Sequence, residues 1–245
     1  MEPLRLLDLF SGIGGFSLGL ERSGGFKTVA FCEINPYCRA VLRRHWPKVP
    51  QYEDVRDITG ERLRADGIFA TAICGGFPCQ DISVAASNRA AGLAGDRSGL
   101  WREYARIIGE VRPQLVIVEN SSNLLAIGNG KWFGVVLGDL AALGYDAEWH
   151  CIPAAAVGAN HIRDRVWVVA YATGERSGQL RWGARAAQSA ANRHLSWQKS
   201  EPEFGRVADD VPDRVDRLTA LGNAVVPLIP ELIGAAIVSH RKSEG

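Results

Sequence analysis

Residues 4–16 read LRLLDLFSGIGGF, and this stretch decides the fold. The apolar run over residues 4–10, broken by Asp8, predicts a buried strand, and the glycines after it predict a tight loop. A helix is then expected to begin at Phe16 and to end at the pair Gly24-Gly25. A strand, a glycine-rich loop and a helix in this order form the basic unit of α/β folds.

The same alternation of strands and helices continues along the chain. Asn35-Pro36 is typical of a helix start, with Asn35 as the N-cap and Pro36 at the first helical position. Further strands are predicted at residues 28–31, 68–74, 115–118 and 166–170, and further helices at 35–45, 98–111, 132–143 and 227–240. This order predicts the α/β class, with a mostly parallel sheet and helices on both of its faces.

Size and composition favour a single soluble domain. The chain has 245 residues, 47% of them hydrophobic and 22% charged, and its formal net charge is only +1. Any surface that attracts nucleic acid must therefore be local. The odd number of cysteines, without a Cys-x-x-Cys pair, argues against a disulfide framework and against a metal site. No leader peptide or membrane span is predicted, so a reducing, cytoplasmic compartment is expected.

Polar or glycine-rich sequences follow four of the predicted strands. They are residues 10–15, Glu33, residues 75–80 and the pair Glu119-Asn120. In open α/β sheets ligands bind beyond the carboxyl ends of the strands, so these sequences are expected to meet at one edge of the sheet.

Two of these sequences are suited to binding a nucleoside. Glycines directly after a strand let the backbone approach a ligand closely. Glu33, roughly twenty residues later, could accept hydrogen bonds from both hydroxyl groups of a ribose. Each feature alone is weak, since the loop could be a plain strand–helix turn and Glu33 could be a surface acid.

Two other sequences are suited to covalent chemistry. Cys79 beside Pro78 would be held rigidly near backbone amides and helix ends, which favour a thiolate nucleophile, although most free cysteines are inert and buried. Glu119 could exchange a proton opposite Cys79. The alternative is that Glu119 and Asn120 only cap a helix.

Arg163 and Arg165 lie two residues apart before a predicted strand, so both side chains are expected to point the same way. They could grip an anion or a carbonyl group. They could also be surface charges with Asp164 as a local partner.

Residues 172–217 differ in composition from the rest of the chain. Between residues 172 and 200 five basic residues accompany a single acid, with Trp182 and Trp197 interleaved. Such a stretch could contact phosphates, or it could be a solvated linker.

Taken in order, these sequences resemble the motifs of the DNA (cytosine-5)-methyltransferases. The matching positions are Asp8 to Phe16, Glu33, Asp57-Ile58, Pro78-Cys79-Gln80, Glu119-Asn120, Arg163-x-Arg165 and Gly222-Asn223-Ala224-Val225. The likeness covers about residues 4–170 and 205–235, and the short chain is similar to small family members found in phages and prophages. The resemblance implies a Rossmann-like, S-adenosylmethionine-dependent methyltransferase fold.

The resemblance also implies S-adenosylmethionine as the methyl donor, and no metal. The glycine loop would surround the amino acid part of the donor, Glu33 would hold its ribose, and Asp57 with Ile58 would face its adenine. The implied cofactor-binding residues are Phe10, Gly12, Ile13, Gly14, Glu33, Ile34, Asp57, Ile58, Pro78, Leu100, Asn223 and Val225.

A covalent mechanism follows from the same resemblance. Cys79 would attack carbon 6 of a cytosine flipped out of the duplex, which makes carbon 5 nucleophilic. Glu119 would hydrogen-bond N3 of the base, and Asn120 would orient the Glu119 carboxyl group. Arg165 would grip the base carbonyl and Arg163 would support Cys79.

Double-stranded DNA is the substrate that the resemblance implies. Residues 80–99 resemble the loop that closes over DNA in this family. A cognate restriction endonuclease is a candidate partner, and the protein is expected to be a monomer. The expected DNA contacts are Gln80, Ser83, His161, Arg176, Arg181 and Arg185.

The chain departs from the family pattern at a few positions. His161 stands where the family usually has glutamine, and Asn160 and Ser121 replace a common proline and a common valine. The recognition region is short, so we divide the chain into a catalytic domain, 1–170 and 218–245, and a reduced target-recognition segment, 171–217. Two alternatives stay open: an RNA methyltransferase, since one relative with these motifs acts on transfer RNA, and a non-catalytic DNA-binding protein.

Overall fold

The structure, a computed structural model, describes residues 1–78, 99–174 and 214–243, with side chains from Thr219 onward in the last range. Within these ranges seven strands form one sheet in the order β3-β2-β1-β4-β5-β7-β6. The strands are β1 (Leu4–Leu9), β2 (Phe26–Cys32), β3 (Gln51–Tyr52), β4 (Ala72–Gly76), β5 (Leu115–Ser121), β6 (Tyr145–Pro153) and β7 (Asp164–Ala172).

Helices connect and flank these strands. The α-helices of the described residues are α1 (Gly15–Arg22), α2 (Pro36–His45), α3 (Gly60–Ala65), α4 (Gly99–Val111), α5 (Lys131–Ala142), α6 (Arg214–Asn223) and α7 (Leu228–Ser243). Short 3-10 helices lie at η1 (Val55–Asp57), η2 (Ser122–Leu125) and η3 (Ala154–Val157).

All strands of this sheet except β7 are parallel. Strand β7 lies between β5 and β6 and pairs antiparallel with both. The predicted α/β fold with a mostly parallel sheet is therefore confirmed. The sequence prediction missed β3, which has only two residues, and β6, an edge strand whose side chains are largely exposed or half-buried.

Two predicted elements show how local sequence sets their bounds. Helix α2 begins as predicted, because the Asn35 side chain accepts hydrogen bonds from the backbone N–H groups of Tyr37 (2.8 Å) and Cys38 (3.3 Å). The strand predicted at residues 68–74 begins only at Ala72. Ile68 is buried, but its N–H donates to the carbonyl of Leu63 at the end of α3, so this apolar stretch first closes a helix.

Each face of the sheet is covered by helices, as the sequence predicts. Successive side chains of a strand point to opposite faces. Leu4 and Leu6 of β1 belong to the hydrophobic cluster built with α1 and α7. Leu7 and Leu9 belong to the larger cluster built with α4 and α5. The sheet is thus buried on both faces, and its edge is left to carry polar groups.

Helix α7 brings the end of the chain back against α1. A Cβ atom added to Gly19 would collide with the Pro227 carbonyl, and one added to Gly25 would collide with the Val238 side chain. Glycine at these positions therefore permits the close approach of the final segment to the first strand–helix unit.

One helical stretch of the described residues, Thr219–Ser243, is long and apolar enough to cross a membrane by length and composition, with a mean hydropathy of 1.8. The apolar side chains of α7, including Leu232, Ile233 and Ile237, are buried in the cluster with α1 and β1. Part of the apolar composition of this stretch thus serves the core, since 39% of its most apolar part is buried.

Candidate active site

A cleft of about 660 Å³ lies at the carboxyl edge of the parallel strands. Segments that follow β1, β2, β4 and β5 line it, as the strand order predicts. Because β7 is antiparallel, the residues at its beginning reach the same edge. The predicted residues that line the cleft are Phe10, Gly12, Glu33, Ile34, Pro78, Leu100, Glu119, Asn120, Arg163, Arg165 and Asn223.

The glycine loop after β1 has an unusual backbone. Phe10, Gly12 and Gly14 all have positive φ angles, of 53°, 54° and 87°, a region that suits glycine and is strained for phenylalanine. The Ser11 hydroxyl donates to the Asp8 carbonyl (2.7 Å) and so closes the turn. A Cβ atom at Gly12 would meet nothing within 4 Å, so the loop leaves open space over its backbone for a ligand.

The Glu33 carboxylate is fixed at both of its oxygen atoms. Oε2 accepts the N–H of Gly12 (2.7 Å), and Oε1 accepts the N–H of Asn35 (2.8 Å). Each oxygen keeps a further lone pair that can accept a hydroxyl hydrogen. This arrangement is suited to the two hydroxyl groups of a ribose beside the glycine loop.

Beside Glu33, in the segment that follows the neighbouring strand β3, Asp54, Val55 and Arg56 also line the cleft. The predicted pair Asp57-Ile58 does not line the cleft: Ile58 is fully buried in the core, and the Asp57 carbonyl accepts a hydrogen bond from Arg62. The signal that could have identified this segment is the one that identified Glu33, an acid directly after a strand.

Three other predicted cofactor residues, Ile13, Gly14 and Val225, are not among those that line the cleft. A Cβ atom at Gly14 would press on Trp46, and the Val225 carbonyl packs against Gly15. Gly14 and Val225 therefore take part in packing the glycine loop against its neighbours. His161 is exposed and also lies off the cleft.

Several predicted site residues fall outside the described residues. They are Cys79, Gln80, Ser83, Arg176, Arg181 and Arg185. The same holds for residues 80–98 of the expected closing loop and for most of the expected recognition segment. Pro78, which precedes Cys79 directly, does line the cleft.

Glu119 and Arg165 form an ion pair inside the cleft. Arg165 Nε lies 2.8 Å from Glu119 Oε1, and Glu119 is only 8% exposed. Burial raises the pKa of the Glu119 carboxyl group, while the charges of Arg165 and Arg163 oppose the rise. A carboxyl group whose pKa is raised keeps its proton to higher pH than a free one and can donate it to a ligand.

Asn120 is buried and anchors the segment before Pro78. Its Nδ2 donates to the Phe77 carbonyl (3.0 Å), and its Oδ1 accepts the N–H of Ser121 (2.8 Å). The resemblance implied that Asn120 orients the Glu119 carboxyl group, but its hydrogen bonds go to the backbone instead. Asn120 therefore ties the end of β5 to the segment that leads into Cys79.

Arg163 fixes the end of α6 against the cleft. Its guanidinium donates to the carbonyl of Gly222 and, at 3.0 Å, to the carbonyl of Asn223. The sequence prediction placed Arg163 beside Cys79, whereas the contacts of the described residues join it to the segment near the end of the chain. Thr219 and Ala220, which the sequence did not identify, line the cleft next to this contact.

A buried carboxyl group lies beneath the glycine loop. Asp8 Oδ2 accepts the Ser17 hydroxyl (2.7 Å), the Cys74 thiol also interacts with this carboxyl group, and Asp8 Oδ1 has no nitrogen or oxygen partner among the described residues. Burial raises the pKa of Asp8 to about 7. Among the described residues no group of three or more His, Cys, Asp or Glu side chains is placed to hold a metal ion.

A family model described as C-5 cytosine-specific DNA methylase matches residues 4–215. Among curated relatives, the type II methyltransferase M2.BsuMI of Bacillus subtilis (strain 168) is 34% identical over 171 residues, which are 68% of this chain and 42% of that protein. M.HhaI of Haemophilus parahaemolyticus is 30% identical over 70% of this chain and 50% of that protein. The chain thus spans about half or less of the length of these relatives.

Two solved structures have a similar fold. A putative DNA modification methyltransferase encoded within a prophage (E. coli) superposes with a TM-score of 0.59 at 24% identity, over 69% of this chain and 47% of that one. A DNMT2 mutant from Spodoptera frugiperda superposes with a TM-score of 0.58 at 18% identity, over 71% of this chain and 51% of that one. At these identities the likeness concerns the fold alone.

Proposed function

Since the chain belongs to the C-5 cytosine-specific DNA methylase family, we propose that it transfers a methyl group from S-adenosylmethionine to carbon 5 of cytosine in double-stranded DNA. The observation that carries the proposal is the buried Glu119–Arg165 pair, which stands in the same cleft as Pro78. Glu119 can donate a proton and Arg165 is a fixed cation, and both line the cleft together with Pro78, the residue before Cys79. These groups are suited to activating a cytosine for attack by Cys79.

S-adenosylmethionine fits one end of the cleft. The open backbone at Gly12 suits its amino acid part, and the Glu33 carboxylate suits its ribose. Asp54 and Ile34, which line the cleft, are then candidates for contact with the adenine, in addition to Asp57 and Ile58 as implied by the resemblance. The donor supplies an electrophilic methyl group. The residues of the chain supply the nucleophile, the proton donor and the cation.

Cys79 is the proposed nucleophile. Its thiolate adds to carbon 6 of cytosine, the ring loses aromaticity, and electron density moves to carbon 5. Carbon 5 takes the methyl group as the bond between that group and the donor sulfur breaks, which leaves S-adenosylhomocysteine. A base, for which solvent water suffices, then takes the carbon 5 proton, and the Cys79 thiolate leaves carbon 6 as the ring is restored. A paired base cannot reach such a cleft, so the cytosine must leave the duplex.

Glu119 and Arg165 stabilise the intermediate in this proposal. When Cys79 adds to the ring, negative charge develops toward N3 and the base carbonyl. The Glu119 carboxyl group, with its raised pKa, donates a proton or hydrogen bond to N3. Arg165, 2.8 Å from Glu119, holds that carboxyl group and offers its remaining N–H groups to the carbonyl.

Asn120 and Arg163 are positioning residues in the proposed mechanism. Asn120 holds the Phe77 carbonyl and thereby the backbone two residues before Cys79. Arg163 holds the end of α6, whose last residue, Asn223, lines the cleft. In this mechanism each side chain holds a segment of backbone and touches no reacting atom. Loss of either side chain should therefore lower the turnover rate by displacing other groups.

DNA contacts are proposed for Gln80, Ser83, His161, Arg176, Arg181 and Arg185, and residues 171–217 are the proposed recognition segment. The net charge of +1 means that phosphate contacts come from such local groups. We therefore expect weak DNA binding with a strong salt dependence. A cytoplasmic monomer, with a restriction endonuclease as a candidate partner, agrees with this function.

The test is transfer of labelled methyl groups from S-adenosylmethionine to unmethylated genomic DNA, followed by sequencing of the methylated cytosines. The expected product is 5-methylcytosine in duplex DNA. RNA is assayed in parallel, because transfer to RNA alone would assign the chain to the other class. Absence of transfer to duplex DNA from any sequence context would refute the proposal.

The nucleophile has a test of its own. A duplex that carries 5-fluorocytosine should trap a covalent complex, since fluorine cannot leave carbon 5 as a proton does. We expect this complex with the native chain and with Cys151→Ala, a change at an exposed cysteine on β6 away from the cleft. Cys79→Ala should form no complex. A complex with Cys79→Ala would mean that another group attacks the base.

A further inference from the structure

Arg39, on the first turns of α2, makes three side-chain contacts around the cleft. Its Nη1 donates to the carbonyls of Glu33 (3.1 Å) and Ile34 (2.7 Å). Its Nη2 lies 3.1 Å from Glu53 Oε1. Arg39 belongs to none of the sequence motifs that resemble those of the family.

These contacts join two neighbouring segments that line the cleft. Glu33 and Ile34 follow β2, and Glu53 follows the adjacent strand β3. The strand pair β2–β3 has only two paired residues on the β3 side, and the Glu33 N–H donates to the Tyr52 carbonyl just beyond them. The guanidinium of Arg39 adds side-chain contacts to this short backbone pairing.

The three contacts of Arg39 differ in how far they are exposed to water, and so in how much each can contribute to holding the cleft. The Arg39 side chain is 15% exposed, and its bond to the Glu33 carbonyl is partly buried, whereas its bond to the Ile34 carbonyl is exposed. The Glu53 side chain is 74% exposed, and ion pairs with such exposed groups contribute little. The loop at Glu33 and Ile34 lies between a strand and a helix, and Arg39 satisfies backbone carbonyls there.

We infer that Arg39 is the positioning residue that holds the Glu33 carboxylate in place for the ribose of S-adenosylmethionine, by fixing the Glu33–Ile34 backbone and joining it to the neighbouring segment after β3. The inference rests on the proposed function. It concerns the cofactor end of the cleft and assigns Arg39 no part in the chemistry of the base.

The experiment is calorimetric titration with S-adenosylhomocysteine, which needs neither DNA nor turnover. Arg39→Ala should weaken binding about tenfold, as expected for the loss of hydrogen bonds from a charged donor. Arg39→Lys should recover part of the loss, since an ammonium can donate to the two carbonyls that Arg39 Nη1 serves but has no second nitrogen for Glu53. Arg43→Ala, at an exposed arginine one turn further along α2, is the matched control and should bind as the native chain does.

A second probe distinguishes positioning from general loosening of the fold. The native chain should prefer S-adenosylhomocysteine over the analogue that lacks both ribose hydroxyl groups. Arg39→Ala should reduce that preference, because a displaced Glu33 no longer meets the hydroxyl groups. Glu53→Gln should weaken binding less than Arg39→Ala. Equal losses in the two variants would overturn the assignment, since they would leave the carbonyl contacts without effect.

The outcomes separate this inference from the proposed function. If the native chain does not bind S-adenosylhomocysteine, the proposed function fails. If the native chain binds and Arg39→Ala binds equally well, with its preference for the ribose unchanged, only the inference about Arg39 fails. In Arg39→Ala, turnover at saturating donor should stay within about twofold of native, as expected when an interaction serves binding alone.

Discussion

Arg165 Nε lies 2.8 Å from Glu119 Oε1, and the antiparallel pairing of β5 with β7 sets this distance. Arg165 stands opposite Ser121 in that pairing, two residues beyond Glu119, so the two side chains meet diagonally across neighbouring strands. A parallel β7 would have placed its first residues at the far edge of the sheet. The direction of one strand therefore brings the cation to the acid.

Glu119→Gln should lower kcat about 100- to 1000-fold, since a glutamine amide keeps the shape but donates no proton to N3. Binding of S-adenosylhomocysteine should stay within about twofold, as Glu119 lies at the other end of the cleft from Glu33. Methyl transfer at saturating substrates measures the first and calorimetry the second. Glu61→Gln, at an exposed acid on α3, is the control. A Glu119→Gln rate within about tenfold of native would contradict the assigned role.

The ion pair also predicts a shift of the pH profile. Burial raises the pKa of Glu119, and Arg165 lowers it again. If the protonated carboxyl group is the active form, kcat falls as the pH rises through this pKa. Arg165→Ala removes the lowering charge, so the alkaline limb of the kcat profile should move to higher pH while the maximum decreases. A move to lower pH would show that Glu119 acts in its ionised form.

Two adjacent glycines should respond differently to alanine. A Cβ atom at Gly76 would lie 2.5 Å from Glu119 Oε2, the free end of a side chain, whereas one at Gly75 would collide with the Leu9 backbone carbonyl. Gly76→Ala should therefore fold and lose about tenfold or more in kcat. Gly75→Ala should lower the Tm, because neighbouring strands must separate. Thermal unfolding and kcat of both variants check this contrast, and a fully active Gly76→Ala would contradict it.

Asn120→Ala should impair turnover without weakening donor binding. It removes the hydrogen bond to the Phe77 carbonyl, so the backbone before Cys79 loses an anchor. We expect kcat to fall about tenfold to 100-fold, as for misplacement of a reacting group by about an ångström. Asn123→Ala, at an exposed position on η2, is the matched control. Equal kcat values for the two variants would mean that Asn120 does not position Cys79.

Asp8 should make stability depend on pH. Its pKa rises from 3.8 to about 7 on burial, so between these values the folded chain keeps a proton that the unfolded chain has lost. The free energy of unfolding should therefore decrease as the pH rises from about 4 to 7. The expected decrease is a few kcal/mol, roughly what proton linkage gives for such a difference in pKa between the folded and unfolded chain. Urea unfolding at several pH values measures it.

Asp8→Asn should remove much of that slope and should gain stability relative to the native chain above pH 7. Asn keeps an oxygen that can accept the Ser17 hydroxyl. Glu148, whose pKa burial also raises to about 7, contributes with the same sign, so Glu148→Gln is measured alongside. An unchanged slope in Asp8→Asn would mean that Asp8 is ionised in the folded chain across this range.

The residues that could be predicted follow strands with clear apolar runs. Glu33 follows β2 directly and Glu119 lies near the end of β5, and the rule for open sheets places both at the cleft. Asp54 obeys the same rule but follows β3, whose two residues leave no pattern. The resemblance implies Asp57-Ile58 for this part of the site, and Ile58 lies in the core. The rule worked wherever the strand was long enough to be recognised.

The contacts between distant segments could not be predicted. The sequence placed Arg163 and Asn120 at the right edge, but their partners, Asn223 and Phe77, lie 60 and 43 positions away. Such pairs depend on strand order and on the direction of β7, which apolar patterning does not encode. Arg39 could not be predicted for a related reason. Its side chain donates to two backbone carbonyls, and every residue has such a carbonyl, so the sequence carries no signal for the contact.

The direction of β7 has a consequence for how this protein can evolve. Its last residues pair beside Leu115 and Tyr145, at the sheet edge away from the cleft, and the chain leaves the described fold there at Gly174. It returns at Arg214 and reaches the cleft only at the end of α6. All seven strands lie outside the interval between these points, so the strand order of the described sheet is complete without it. If residues 171–217 choose the target, as proposed, selection can exchange that sequence while the strands that carry Glu33 and Glu119 to the cleft are inherited unchanged.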